Sequence, residues 1–171
     1  MSVHVRQMGP ADAGQLFGLR RAALADSPFS FSASLEDDVW SSENAVQEQM
    51  QRVPGPVVFG AIATELVGML GIGRAGKLKE RHRAHIWGVY VHPQWRGRGI
   101  AGQLIEAAIA HARTLDGVDS LHLSVNETTP GAQRVYERYG FKIWGAEPDA
   151  LRYGGRSTTE YHMVRALKAG A

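Results

Sequence analysis

A loop rich in glycine and arginine is the segment best suited to chemistry, and it reads Arg96-Gly97-Arg98-Gly99-Ile100-Ala101-Gly102. It follows a strand-like apolar stretch and opens an amphipathic helix, where backbone N–H groups lack partners within the helix. Such groups bind anions, and the helix dipole adds to the attraction. Glycine also lets a phosphate approach the backbone closely. The loop therefore suits a pyrophosphate ligand, and a glycine turn with a solvated basic rim is the alternative.

Two strands and one helix must position this loop. A strand at 84–91 precedes it, a helix covers 98–115, and alternating apolar residues predict another strand at 120–126. The apolar positions of the helix share one face: Ile100, Leu104, Ala108, Ile109, Ala112 and Leu115. A strand–helix–strand unit of this kind is a crossover, so we expect its two strands to be parallel within a mixed sheet.

The predicted elements of the whole chain follow the order β-α-α-β-β-β-α-β-α-β-β. A first strand is expected near Val3 and Val5, and the other predicted ranges are helices 11–25, 42–52 and 130–139, a hairpin of strands 57–64 and 66–73, and last strands 141–144 and 158–167. A literal G-x-G-x-x-G occurs at 71–76. No helix pattern follows it, so this stretch is interpreted as the end of a hairpin and not as a dinucleotide loop.

Two ordered motifs give a family resemblance. The run from Val91 to Ala101 contains Arg96-x-x-Gly99-x-Ala101, which resembles motif A of the GNAT acetyltransferase superfamily. Downstream, Ala132 to Phe141 is similar to that family's motif B, Ala-x-x-x-Tyr-x-x-x-Gly-Phe. The resemblance implies an α/β fold with a mixed, twisted sheet and helices on both faces, as a single N-acetyltransferase domain over 1–171. It also implies transfer of an acetyl group from acetyl-CoA to a primary amine, without a metal.

The resemblance also implies which residues bind the donor. In the family, the strand before motif A pairs its backbone with the pantetheine arm, and the loop amides hold the pyrophosphate. Thr129 stands where the family often has asparagine, so the nearby Asn126 is a second candidate for a coenzyme A contact. The implied binding residues are Val89, Tyr90, Val91, Arg96, Gly97, Arg98, Gly99, Ile100, Ala101, Gly102, Asn126 and Thr129. Gly88 is suited to a bulge that would separate this strand from its parallel neighbour.

The resemblance implies that the acetyl group is transferred directly. In the family, the motif B tyrosine, here Tyr136, donates a proton to the leaving thiolate. The chain contains no cysteine, which closes the thiol route to an acyl-enzyme. The base that deprotonates the amine is left open between His85, Glu160 and a bound water. Ser124 has no neighbouring base in the sequence, so it is interpreted as an ordinary strand serine.

The acceptor is the least defined part. An acidic run, Glu36-Asp37-Asp38, lies in the loop that by resemblance flanks the acceptor side. These carboxylates would suit a cationic amine, but a solvated acidic loop is the favoured interpretation. Small-molecule and protein amines both stay possible. The main rival function is a non-catalytic acyl-CoA sensor that keeps the phosphate loop and transfers nothing.

Composition excludes several classes. The 171 residues include 44% hydrophobic and 21% charged ones, which is ordinary for a globular domain. Nineteen basic residues against seventeen acidic ones give no basic stripe for nucleic acid. No stretch approaches the ~18 apolar residues of a membrane span, and the N-terminus lacks a signal-peptide pattern. We therefore expect a cytoplasmic protein with no membrane partner and, by resemblance, a possible homodimer.

Overall fold

The computed structural model describes residues 2–167 as seven strands and four α-helices around one sheet. The strands are β1 His4–Gln7, β2 Val57–Ile62, β3 Leu66–Arg74, β4 Arg83–Val91, β5 Ser120–Asn126, β6 Lys142–Tyr153 and β7 Arg156–Ala166. The helices are α1 Ala13–Asp26, α2 Glu43–Gln51, α3 Ile100–Thr114 and α4 Pro130–Arg138, with 3-10 turns at Pro10–Asp12, Pro28–Ser30, Leu78–Glu80 and Pro93–Trp95. None of the helices in this part of the chain is long and apolar enough to cross a membrane.

The sheet is mixed, with the strand order β1-β2-β3-β4-β5-β7-β6. Only β4 and β5 are parallel neighbours, joined by the crossover through α3, and the other pairs are antiparallel. Helices α1 and α2 pack on one face, and α3 and α4 pack on the other. In β3, every residue from Leu66 to Ile72 is buried, as expected for a central strand covered on both faces. The predicted fold class is confirmed.

Strands β4 and β5 separate after a short paired segment. Their ladder contains three pairs, the last of which joins His85 to His122. Beyond it, Met69 of β3 pairs with Tyr90 while Gly71 pairs with Trp87, so two residues of β4 lie opposite Leu70. Gly88 takes φ +62° at this bulge, a left-handed conformation that glycine adopts without strain. The bulge expected at Gly88 is confirmed, and a wedge opens between the two strands.

The last hairpin is longer than the sequence predicted. β6 continues to Tyr153 and β7 begins at Arg156, so the expected strands 141–144 and 158–167 were too short. Pro148 accounts for the difference, since proline normally interrupts a strand and a shorter β6 is therefore expected from the sequence. Proline is tolerated here because β6 is the outermost strand, and because three of its residues lie opposite one of β7 between the pairs Glu147–Glu160 and Leu151–Thr158. The turn itself falls at Gly154–Gly155, both at positive φ.

Candidate active site

A cleft of about 1170 Å³ lies where β4 and β5 separate. The end of β4, the start of α3 and one side of α4 line it. Ten of the twelve residues expected to bind the donor line this cleft: Val89, Tyr90, Val91, Arg96, Gly97, Gly99, Ile100, Ala101, Gly102 and Thr129. Tyr136 lines it as well. Two short motifs far apart in sequence therefore meet in one cavity.

The loop before α3 presents free backbone donors to the cleft. Gly97 and Gly99 both take φ +76°, and Gly99 is the N-cap of α3 with no side-chain hydrogen bond to the first turn. The N–H groups of that turn are therefore available to an external acceptor, with the positive end of the helix dipole behind them. A Cβ at either glycine would meet no atom within 4 Å, so the turn requires glycine for its backbone conformation and not for lack of space.

Arg96 ties the loop to its surroundings. Its Nη2 lies 2.5 Å from Asp26 Oδ2 at the end of α1, and its Nε donates to the Val91 carbonyl at 2.9 Å. The guanidinium also sits over the Tyr90 ring, 5.5 Å from the centroid. Its hydrogen bond holds the pKa of Asp26 below the usual range. Arg96 is thus largely a structural clamp between α1, β4 and the loop.

Arg98 was expected to bind the donor but does not line the cleft. Its guanidinium lies over the Trp95 ring, 4.8 Å from the centroid, on the exposed side of the loop. In this position Arg98 adds positive potential near the loop. To contact a ligand in the cleft directly, its side chain would have to move away from the Trp95 ring.

Asn126 was the other expected contact, and it too stays outside the lining. It is buried, and its side chain donates to Thr158 Oγ1 at 2.8 Å and accepts from both the N–H and the hydroxyl of Thr128. The Thr129 hydroxyl donates to the Asn126 carbonyl at 2.9 Å. Asn126 therefore fixes the turn that brings Thr128 and Thr129 to the cleft wall.

Tyr136 places its ring in the core and lines the cleft. The residue is 7% exposed, packs edge-on against Phe141 at 6.1 Å, and lines the cleft from α4. Among the side-chain hydrogen bonds of residues 2–167, none involves its hydroxyl. Burial raises its pKa, so the phenol is protonated at neutral pH. A protonated hydroxyl without an internal partner is available to a group in the cleft.

Neither candidate base lines the cleft. His85 lies in the paired part of β4, its ring 5.4 Å from that of His122, and burial lowers its pKa. Glu160 is half-buried at the far end of the β5–β7 ladder, opposite Asn126, and burial raises its pKa. The structure therefore brings together the expected donor-binding residues and Tyr136, but it does not add a base to them.

The acidic loop is largely engaged with itself. Asp38 is buried and forms a two-point ion pair with Arg20 of α1, at 2.9 and 3.0 Å. Asp37 accepts from the N–H and the hydroxyl of Ser34, which holds its pKa below the usual range. Two of the three carboxylates therefore organise the loop, which favours its interpretation as a structural element over a binding patch.

Sequence reasoning missed the wall between α1 and α2. Ser27 and Ser30 line the cleft from the sheet face opposite α3, where the Pro28–Ser30 turn contacts β5 and β6. Phe29 packs edge-on against Tyr153 of the last hairpin, with ring centroids 5.9 Å apart. Pro28 marked the end of a helix in the sequence, but no local pattern indicates what the following turn touches. Within the described residues, no cluster of three His, Asp or Glu side chains could hold a metal ion.

The site therefore combines three features: a mixed sheet that opens at a crossover, a helix start without a side-chain cap, and a buried tyrosine beside the opening. The family model described as "Acetyltransferase (GNAT) family" matches residues 19–141. The chain belongs to this family, and the resemblance given by the two motifs is confirmed.

Known relatives agree with this assignment. L-amino acid N-acetyltransferase AaaT of Escherichia coli (strain K12) is 29% identical over 125 residues, 72% of this chain and 76% of that protein. A mycothiol acetyltransferase of Thermobispora bispora is 30% identical over 152 residues, 83% of this chain but 47% of that longer protein. The yncA protein of Salmonella typhimurium, solved with its cofactor acetyl-CoA, has a TM-score of 0.82 at 18% identity and covers 100% of this chain and 97% of its own. The chain is thus a member of a family of acetyltransferases, and it shares its fold with a protein that was solved with acetyl-CoA.

Proposed function

We propose that this protein transfers the acetyl group of acetyl-CoA directly to the primary amine of a small molecule, with Tyr136 as the acid that protonates the leaving thiolate. The observation that carries the proposal is the placement of Tyr136. Its unpartnered hydroxyl opens into the same cleft as the uncapped start of α3. A sensor that only bound acyl-CoA would have no use for a protonated hydroxyl at that position.

The cleft fits the donor chemically. A pyrophosphate needs several N–H donors and positive potential, which the left-handed turns at Gly97 and Gly99 and the first turn of α3 supply. A pantetheine arm carries amides and needs strand-like partners. The His92 N–H donates to the Val67 carbonyl at 2.8 Å, in register with the Met69–Tyr90 pair, so Tyr90 turns its backbone groups toward β3 and Val91 turns its own toward β5. Arg96 already occupies the Val91 carbonyl, which leaves the Val91 N–H.

The donor supplies an acetyl group activated as a thioester. The residues of this chain supply the remaining functions. The loop amides hold the phosphates and so fix the position of the thioester along β4. A backbone N–H on the open side of β4 polarises the acyl carbonyl. Tyr136 holds its proton until the thiolate leaves and then donates it. No residue forms a covalent bond to the acetyl group.

The acceptor is proposed by chemistry shared with relatives. AaaT is named for L-amino acids, and a solved relative from Sinorhizobium meliloti, a phosphinothricin acetyltransferase in complex with AcCoA, has a TM-score of 0.83 at 17% identity over 98% of this chain. These names make small amines that carry an anionic group the first acceptors to test. Polyamines, aminoglycosides and protein N-termini complete the comparison.

The test is an acceptor screen on the purified chain. Release of the free coenzyme A thiol is followed with acetyl-CoA and each amine, and the acetylated product is identified by mass spectrometry. We expect amine-dependent turnover with at least one L-amino acid. In parallel, acetyl-CoA at a hundredfold excess over its dissociation constant should stabilise the fold by about 2.7 kcal/mol, whereas NAD should not. Donor binding without turnover on any amine would support the sensor instead.

A further inference from the structure

Three polar side chains from neighbouring strands form a hydrogen-bonded chain outside the cleft lining. Ser124 Oγ of β5 lies 2.9 Å from His162 Nδ1 of β7, and His162 Nε2 lies 2.9 Å from Glu147 Oε2 of β6. Ser124 and His162 are directly paired across the β5–β7 ladder. The sequence around Ser124 shows no neighbouring base, and the structure places a histidine beside it from 38 residues further along the chain.

The order of contacts fixes the tautomer of His162. The Glu147 carboxylate only accepts, so Nε2 carries the proton and donates it. Nδ1 then keeps a lone pair and accepts from the Ser124 hydroxyl. Trp144 stacks on the imidazole at 5.4 Å and 26°, which holds the plane of the ring. A histidine oriented by a carboxylate and hydrogen-bonded to a hydroxyl is the arrangement by which proteins make that hydroxyl able to give up its proton.

The chain starts at the rim of the opening between β4 and β5. Strand β5 pairs with β4 as far as His122, and Ser124 is the next residue that faces the same side. Its neighbours Leu123 and Val125 are buried in the core under α3, so Ser124 lies on the opposite face, where it is exposed. The cleft reaches that face at Ser30, and the Pro28–Ser30 turn contacts both β5 and β6.

We propose that Ser124, His162 and Glu147 form a proton relay that deprotonates the ammonium group of the acceptor, entering from the face opposite α3. This inference rests on the proposed function and adds the base that the cleft lacks. One N–H proton of the ammonium passes to Ser124 Oγ as the Ser124 hydroxyl proton passes to His162 Nδ1. The imidazolium is stabilised by Glu147 and returns its proton to water. The freed lone pair attacks the acyl carbon, the C–S bond breaks, and Tyr136 gives its proton to the thiolate. The nitrogen then loses a second N–H proton, which passes through water to the Tyr136 phenolate and restores it.

The charges around His162 favour this use. On the same sheet face lie His122 of β5, Lys142 and Glu147 of β6 and Glu160 of β7, and His85 of β4 lies beyond His122. The two carboxylates attract an ammonium group to the rim. Burial, followed by the neighbouring Glu147, raises the pKa of Glu160. From the covering turn, Pro28, Phe29 and Ser30 bring no charge of their own, and Arg156 packs on Phe29.

The experiment compares pH profiles of kcat/KM for the L-amino acid that the wild type acetylates fastest in the acceptor screen. His162→Gln and Ser124→Ala should each lower kcat/KM by ~10²-fold near neutral pH. The deficit should shrink as pH rises toward the pKa of the acceptor amine, because the free amine then needs no base. Coenzyme A affinity should stay unchanged, since the loop before α3 is untouched. In Glu147→Gln, the hydrogen bonding of His162 Nε2 should differ from wild type, and the imidazole nitrogen shifts measured by NMR report it.

A matched control lies on β5, the strand that carries Ser124. His122 Nε2 is 3.3 Å from Ser120 Oγ, a second serine–histidine contact, in the closed part of the β4–β5 ladder. His122→Gln should leave the profile unchanged. A His162→Gln deficit that is equal at every pH, a rate within about threefold of wild type, or an acetyl group trapped on Ser124 would each overturn the relay while acetyl transfer stands. A wild-type chain that acetylates no amine would remove the proposed function and the relay together.

Discussion

Gly102 of α3 and Tyr139, which caps the end of α4, are in close contact beside the cleft. A Cβ built on Gly102, in the first turn of α3, would lie 2.4 Å from Tyr139 Oη and 3.0 Å from the ring carbon that bears it. The Tyr139 hydroxyl donates to Glu106 of α3 at 3.0 Å. The absent side chain of Gly102 thus lets the end of α4 close onto α3, and this contact sets the width of the cleft at the end where phosphates are expected.

Gly102→Ala should therefore push Tyr139 off α3. We expect a loss of about 1–3 kcal/mol in the free energy of unfolding, the usual cost of overpacking, together with weaker coenzyme A binding. Chemical denaturation and calorimetry measure the two effects. Gly18→Ala in α1 is the control, because a Cβ there meets no atom within 4 Å and alanine favours a helix by up to about 1 kcal/mol. A Gly102→Ala protein as stable as wild type would show that the contact is not tight.

Tyr136→Phe should separate catalysis from packing. Phenylalanine keeps the ring that contacts Phe141 and loses only a hydroxyl that no described side chain binds. If that hydroxyl protonates the thiolate, turnover should fall by ~10²-fold while stability and coenzyme A affinity stay close to wild type. Tyr139→Phe is the matched control, since its hydroxyl bonds Glu106 outside the reaction path. Turnover of the Tyr136 variant within about threefold of wild type, with product release shown not to limit the rate, would assign the proton to solvent.

Gly99→Asp should abolish coenzyme A binding through its charge. The residue takes φ +76° at the start of α3, and a side chain there meets no atom, so the new carboxylate would stand in the anion site without a steric clash. Gly99→Asn has the same shape without the charge, and asparagine tolerates this conformation. We expect Asn to retain measurable binding and Asp to lose it in calorimetry. Gly76→Asp, in an open turn away from the cleft, should bind as wild type does.

The ion pair of Arg20 and Asp38 should contribute to the stability of the fold because removing one partner leaves the other buried without its opposite charge. Both side chains are largely buried, so Asp38→Leu strands the guanidinium and should cost about 3–5 kcal/mol of unfolding free energy. The double variant Arg20→Met with Asp38→Leu should recover most of this loss, because no unpaired charge is left. Glu36→Gln, on an exposed neighbour, should change stability by less than about 0.5 kcal/mol. If Asp38→Leu and the double variant had the same free energy of unfolding, the loss in Asp38→Leu would not come from an unpaired charge.

The elements that the sequence predicts correctly are those that depend on patterns among neighbouring residues. The glycine spacing at 97–102 and the alternation in 84–91 and 120–126 depend on neighbouring residues, and the structure reproduces those elements within two residues. Contacts between distant segments left no such pattern. Nothing near Ser124 indicates that a histidine from β7 will face it, because that pairing depends on the register of a hairpin whose strands were predicted too short. Asp38 likewise looked like part of a charged surface, and only the packing of α1 shows that Arg20 buries it.

Where β4 and β5 separate, each strand lacks a hydrogen-bonded neighbour on the side that faces the other, although both lie in the middle of the sheet. Unpaired strand edges recruit strands from other chains and so promote aggregation. Here the edges lie at the base of a cleft, between α3 and α4 on one side and the Pro28–Ser30 turn on the other, which admits a slender amide-bearing molecule more readily than a second polypeptide. A pantetheine arm bound in the cleft would therefore take the place of a missing strand. Without a bound donor, the unpaired edges of β4 and β5 would stay open in the centre of the sheet, where they could associate with other chains.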